Sequence, residues 1–107
     1  MITVLNMYDE KQEDGSSFRL TASLDSDGSL VLEGQDFTQV AKEIFGDREV
    51  EYYYVFSPNE AKKLFSILEG EEPLLALKET FFQNSIDNNP LLTFCDNHGI
   101  EYRKIVI

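Results

Sequence analysis

The amino-acid sequence predicts an α+β fold: a mostly antiparallel sheet with three or four helices packed on one face. Three observations carry that reading. Phe18, Leu20, Ala22 and Leu24 alternate with Ser17, Arg19, Thr21 and Ser23, the period of a half-buried strand. Asp25-Ser26-Asp27-Gly28 then turns the chain into a return strand, so the best-marked pair is an antiparallel hairpin. Helical and strand-like stretches are interleaved after it, without internal repeats or a Pro/Gly/Ser-rich linker, so residues 1–107 read as one domain.

The elements follow in order. A first strand is expected over 2–8, then an exposed acidic loop over 9–16, which has no apolar side chain. The hairpin pairs 17–24 with 29–33, and Gly28 supplies the positive φ of the turn. A helix is predicted to open at Asp36 as N-cap, with Gln39 completing a capping box. Phe37, Val40, Ala41 and Ile44 would be its apolar stripe and Gly46 its C′ residue. Residues 49–56 are dense in β-formers and form the next strand.

Ser57-Pro58-Asn59-Glu60 reads as a helix start, with Ser57 as N-cap, Pro58 at N1 and Glu60 reaching back to the Ser57 amide. Ala61, Leu64, Phe65 and Leu68 form the buried stripe, and Gly70 ends it. A further helix starts at Pro73 behind Glu71 and Glu72, with Leu74, Leu77 and Phe81 on one side. Residues 87–90 form a loop and a new cap. A short helix over 90–98 presents Leu91, Leu92 and Cys95 inward, and 100–107 is the final strand.

Composition narrows the function. Of the residues, 42% are hydrophobic and 27% charged, as in a globular chain. Acids outnumber bases 20 to 9, for a net charge of −11. Direct nucleic-acid binding through a basic groove is therefore not expected, because phosphate contacts need clustered Lys and Arg. A single cysteine, Cys95, excludes an intrachain disulfide framework. The longest apolar run, residues 52–56, is far short of a membrane span, and the first basic side chain is Lys11, so neither a signal peptide nor membrane insertion is expected. The compartment expected is the cytoplasm.

Chemical constellations are few. Asp25, Asp27 and the residues after them begin like a calcium loop, but the sixth and twelfth positions hold Leu30 and Asp36 where such a loop needs Gly and Glu. Cys95 and His98 stand one helical turn apart, yet the chain has no second Cys or His to complete a zinc set. The plain reading is a core cysteine and a histidine serving the helix end. No cofactor, metal or catalytic residue is assigned. A small enzyme or ligand-binding protein using Cys95, His98 and nearby carboxylates is one alternative, and a structural or self-assembling domain is another.

The tyrosine run says more. Tyr52 and Tyr54 share one strand face and Tyr53 points to the other: either one set packs under the helices and the other lies on or near an open face, or a three-layer arrangement buries both. Tyrosine suits an interface because it offers large area with a polar end. Residues 1–56 hold 12 acids and 4 bases, concentrating the negative charge. Asp36, Glu43, Asp47, Glu49, Glu51 and Tyr53 are therefore the candidate partner-binding residues, with the acids steering a basic partner.

The stretch from Leu24 through Asp25-Ser26-Asp27-Gly28 and Glu33-Gly34-Gln35-Asp36, followed by Glu49-Val50-Glu51-Tyr52-Tyr53-Tyr54, resembles a group of small bacterial proteins of unassigned function. Their pattern runs from an Asp-x-Asp-Gly hairpin through Glu-Gly-Gln-Asp to Glu-Tyr-Glu-Tyr, and here Tyr53 stands where that pattern has Glu. Residues 95–102 are similar to their ending, so the likeness spans about 18–103. In size and acidity such groups resemble immunity proteins that neutralise bacterial toxins. The resemblance implies a non-enzymatic protein-binding domain with a basic toxin as partner.

Overall fold

The computed structural model describes residues 1–38, 50–83 and 87–107. Five strands, β1 (Val4–Lys11), β2 (Ser17–Leu24), β3 (Leu30–Phe37), β4 (Val50–Phe56) and β5 (Arg103–Val106), form one sheet in sequence order. Every neighbouring pair is antiparallel. Helices α1 (Pro58–Ile67), α2 (Pro73–Phe81) and α3 (Asn89–Asn97) lie between β4 and β5 in the chain. The α+β class and the antiparallel sheet agree with the sequence reading, and three helices are present among the described residues.

Period-2 alternation decides which face is buried. Leu20, Ala22, Leu30, Leu32, Tyr52, Tyr54 and Phe56 all point inward. They share one core with Ala61 and Leu64 of α1, Leu74 and Leu77 of α2, and Leu91 and Cys95 of α3. Each large side chain so buried contributes roughly 1.5–3 kcal/mol of hydrophobic stabilisation. In β1 the ladder shifts between Asn6 and Tyr8, a β-bulge. That irregularity lets both Met7 and Tyr8 be buried, although they are adjacent in sequence.

The central hairpin forms as its residues predict. The Asp25 amide donates to the Ser29 carbonyl (2.9 Å), the Gly28 amide donates to the Asp25 carbonyl (3.0 Å), and Gly28 has a φ of +95°. The Asp27 carboxylate accepts the Ser29 amide at 2.9 Å, a side-chain turn that mimics backbone pairing.

Several boundaries differ from expectation. β1 runs on to Lys11, because Asp9, Glu10 and Lys11 still pair with Arg19, Phe18 and Ser17. β3 continues to Phe37, so Asp36 is a strand residue between Phe18 and Val50 and not a helix N-cap. Ladder bonds on both sides of the strand outweigh one local cap there. The rest of the helix predicted after Asp36, through Gly46, lies outside the described residues, as does the strand start at Glu49. β5 is shorter than the expected 100–107 because Ile100 turns into the core and Tyr102 packs on Phe56, ring centroids 5.5 Å apart.

The caps also differ. Ser57 is the N-cap of α1 by backbone conformation, but its hydroxyl makes no capping bond. Glu60 does not reach back to it. Its carboxylate pairs with Lys63 at 2.8 Å and accepts the Glu101 amide at 3.0 Å, tying α1 to the segment before β5. Among the described residues, no helix is long and apolar enough to cross a membrane.

Candidate protein-docking face

The face of the sheet opposite the core has no described element packed over it. Cross-strand register arranges it as a grid. One row runs Asn6, Thr21, Glu33, Tyr53, Ile105 across all five strands, and a second runs Val4, Ser23, Val31, Val55, Arg103. A third holds Asp9, Arg19, Gln35 and Glu51, and the corner row is Lys11, Ser17, Phe37.

Tyr53 sits inside this grid, half-buried, with Glu33 directly across on β3 and Ile105, 41% exposed, across on β5. Val31 and Val55 pair in the adjoining row, so an apolar strip borders the phenol. The Glu33 carboxylate, then slight burial, then Glu51, raise the Tyr53 hydroxyl above its ordinary value. The phenol therefore stays protonated and can donate a hydrogen bond. This is a rigid aromatic with one polar end, held by strands on both sides.

The charges of this face balance. Asp9, Glu33 and Glu51 stand against Lys11, Arg19 and Arg103, with Arg19 Nη2 3.3 Å from Asp9 Oδ2. The long-range negative field comes from the rest of the chain, whose total is −11.

Of the candidate partner-binding residues, the structure brings Glu51 and Tyr53 together here, as their two-residue spacing on a strand implies, while Tyr52 lies between them on the other side. Asp36 is on the opposite, helix-covered face. Glu43, Asp47 and Glu49 lie outside the described residues. Glu33, Ile105, Lys11 and Arg19 carry no assigned role in the sequence reading, and Phe37, expected on the stripe of a helix, instead ends β3 on this face. Counting pairs back from the turn at 25–28 would have placed Glu33, Arg19 and Phe37, whereas Ile105 needs the β4–β5 register.

Asp36 belongs to a polar cluster on the inner side. The Asn88 Nδ2 donates to the Tyr52 hydroxyl at 3.0 Å, and the Tyr8 hydroxyl lies 3.4 Å from both the Tyr52 hydroxyl and Asn88 Oδ1. Burial raises the Asp36 carboxyl above the usual range, and its bond from Tyr52 and the nearby Lys104 ammonium only partly offset that. Among the described residues, Asp36 Oδ1 is buried with no hydrogen-bond partner. Burial likewise pushes the Tyr8 hydroxyl far up. Lys104 Nζ stands 5.6 Å from the Tyr54 ring centroid and 5.9 Å from that of Tyr52, a cation–π arrangement.

Cys95 and His98 are not brought to a cleft. Cys95 is fully buried, and desolvation, helped by Asp96, pushes its thiol up to about 11. A thiol so held is a poor nucleophile at neutral pH. His98 is exposed, its Nδ1 donates to the Phe94 carbonyl at 2.8 Å, and its ring stacks on Phe94. Among the described residues, no three His, Cys, Asp or Glu side chains are grouped to hold a metal ion. No family model, curated protein or solved structure matches the chain, so what it does is read from these residues themselves.

Proposed function

We propose that the chain is a non-enzymatic protein-binding domain that docks a basic partner on its open sheet face, and that it serves as a bacterial immunity protein neutralising a basic toxin. The observation that carries this reading is Tyr53: half-buried, bordered by Ile105 and Val55, and flanked by Glu33 and Glu51. Aromatic anchors of this kind, ringed by polar groups, dominate protein interfaces. A net charge of −11 favours encounter with a positively charged surface, such as a nuclease toxin presents to its substrate. The immunity role rests on the resemblance in size and acidity.

The test begins with a partner isolated from the native bacterium and continues with the purified pair. Tyr53→Ala is expected to weaken binding about tenfold or more, mainly through faster dissociation. Association of the unaltered pair is expected to slow as salt rises, because the Debye length is only about 8 Å at physiological ionic strength. Binding by Tyr53→Ala within about twofold of the original, too small a change for an anchor, would remove the open face as the docking surface.

A further inference from the structure

At the corner of the open face, Asp9, Lys11, Ser17, Arg19, Gln35 and Phe37 line a hollow of about 240 Å³. Its origin is the register. Ser17 is short and lies between Lys11 on β1 and Phe37 on β3, while the next row places Arg19 between Asp9 and Gln35. Long side chains standing around a short one leave a depression whose floor is the sheet itself. All six residues sit on strands, so the depression is held by ladder bonds and not by a loop.

The lining specifies what fits. Lys11 and Arg19 are two of only nine basic residues in a chain with 20 acids, so they make a positive island in a negative field. Asp9 already engages Arg19 through one nitrogen, and both side chains of that pair are more than half exposed, which leaves the guanidinium donors to share. Two cations and one carboxylate leave a single positive charge, matched by a monoanion and not by a phosphate dianion. Gln35 and Ser17 add neutral hydrogen-bonding groups, and Phe37 offers an apolar wall to a short hydrocarbon stem. The volume is below the roughly 300–1,000 Å³ usual for small-molecule sites. It suits one side chain.

We propose that this hollow seats a carboxylate side chain, Asp or Glu, of the protein docked on the open face. The proposal rests on the docking reading above and adds to it. The partner's surface must be basic as a whole, yet carry an acid at this one corner while presenting a cation near Glu33 and Glu51. Charge pattern then sets the orientation of docking and rejects surfaces that are merely basic.

The probe is N-acetyl-glutamate α-amide, with the neutral glutamine analogue as its control, added at low salt to isotope-labelled protein and followed by NMR. Amide shifts are expected at residues 9–11, 17–19 and 35–37, saturating in the millimolar range of a single charged contact. The glutamine analogue should bind at least about tenfold more weakly, and Lys11→Gln and Arg19→Gln should each abolish the shifts. Both side chains are exposed, so an otherwise unchanged spectrum verifies the fold. Equal response to the two analogues, or an unaltered response in both variants, would overturn the proposal. Glutarate binding about tenfold more tightly than the residue mimic would overturn the side-chain assignment in favour of a free acid. No partner is needed for these titrations. An empty hollow beside a partner released by Tyr53→Ala would leave docking without this seat. A filled hollow with a partner indifferent to Tyr53→Ala would leave the seat and remove the docking reading.

Discussion

Gly34 on β3 stands directly across from Tyr52 on β4. A Cβ on Gly34 would overlap the Tyr52 ring. From the sequence, Gly34 reads as a turn or cap residue, since glycine signals both. In the structure it is needed for close approach, because only a residue without a side chain lets the phenol reach Asn88 and Tyr8. Gly34→Ala is therefore expected to destabilise the fold by about 1–3 kcal/mol, the usual range for overpacking. Denaturant midpoints measure it, and an unchanged midpoint would mean that Tyr52 swings away at little cost.

Asp36 gives a prediction with an unusual sign. Its carboxyl holds a proton more tightly in the folded chain than in the unfolded one, because burial disfavours the charge. By linkage its favourable contribution is present at low pH and is lost as pH rises through the raised value. At neutral pH the charge on this buried carboxyl, whose Oδ1 has no partner among the described residues, is then a burden. Asp36→Asn should raise the melting temperature at neutral pH, and the gain should fade below about pH 4, near the ordinary carboxylate value. A lower melting temperature at neutral pH would show that the charged bond from Tyr52 outweighs burial.

Among the elements, the hairpin and the tyrosine strand were legible because their signals are local. Alternation in 17–24 gives β2 its full extent, and the Asp-x-Asp-Gly turn gives its partner. The phase of Tyr52, Tyr53 and Tyr54 also read correctly. β3 runs past its sequence-expected end because Glu33-Gly34-Gln35-Asp36 has the composition of a helix entrance, while its strand character comes from pairing with β2 and β4. Register carried over from the turn contains that information, since eight residues of β2 require eight partners. Side-chain partners distant in sequence were not legible at all. Asn88 looks like a cap yet spends its amide on two tyrosines, and Glu60 looks like half of a capping box yet holds an amide 41 residues away. At the start of α1 the hydroxyl of Ser57 has no capping bond. Ser57→Ala should thus change stability by less than about 0.5 kcal/mol, as for an ordinary surface site, and not by the 1 kcal/mol or so of a working cap. Unfolding curves of the two proteins should superimpose, and a clear loss would restore the cap. Of the proposed docking face, the sequence shows Tyr53 and Glu51. It did not show Glu33, Ile105 or the Lys11–Arg19 corner, which exist only as cross-strand neighbours.

Over the whole molecule, the sheet order repeats the chain order, and that has a consequence for how the protein assembles. Two of the four strand pairings, β1 with β2 and β2 with β3, join segments only a short turn apart in the chain. Local pairings close quickly, in about 1–10 μs for a hairpin, and lower the contact order that slows β-rich chains. β4 and β5 are different, since three helices lie between them and their pairing waits for those helices. During synthesis, which proceeds at about 5–20 residues per second, the β2–β3 hairpin can form well before Ile105 exists. Only when β5 closes against β4 does Ile105 come beside Tyr53 and the apolar border of the open face become complete. The proposed docking surface is thus the last part of the sheet to be finished, and a nascent chain would not offer it to a partner until folding has run its course.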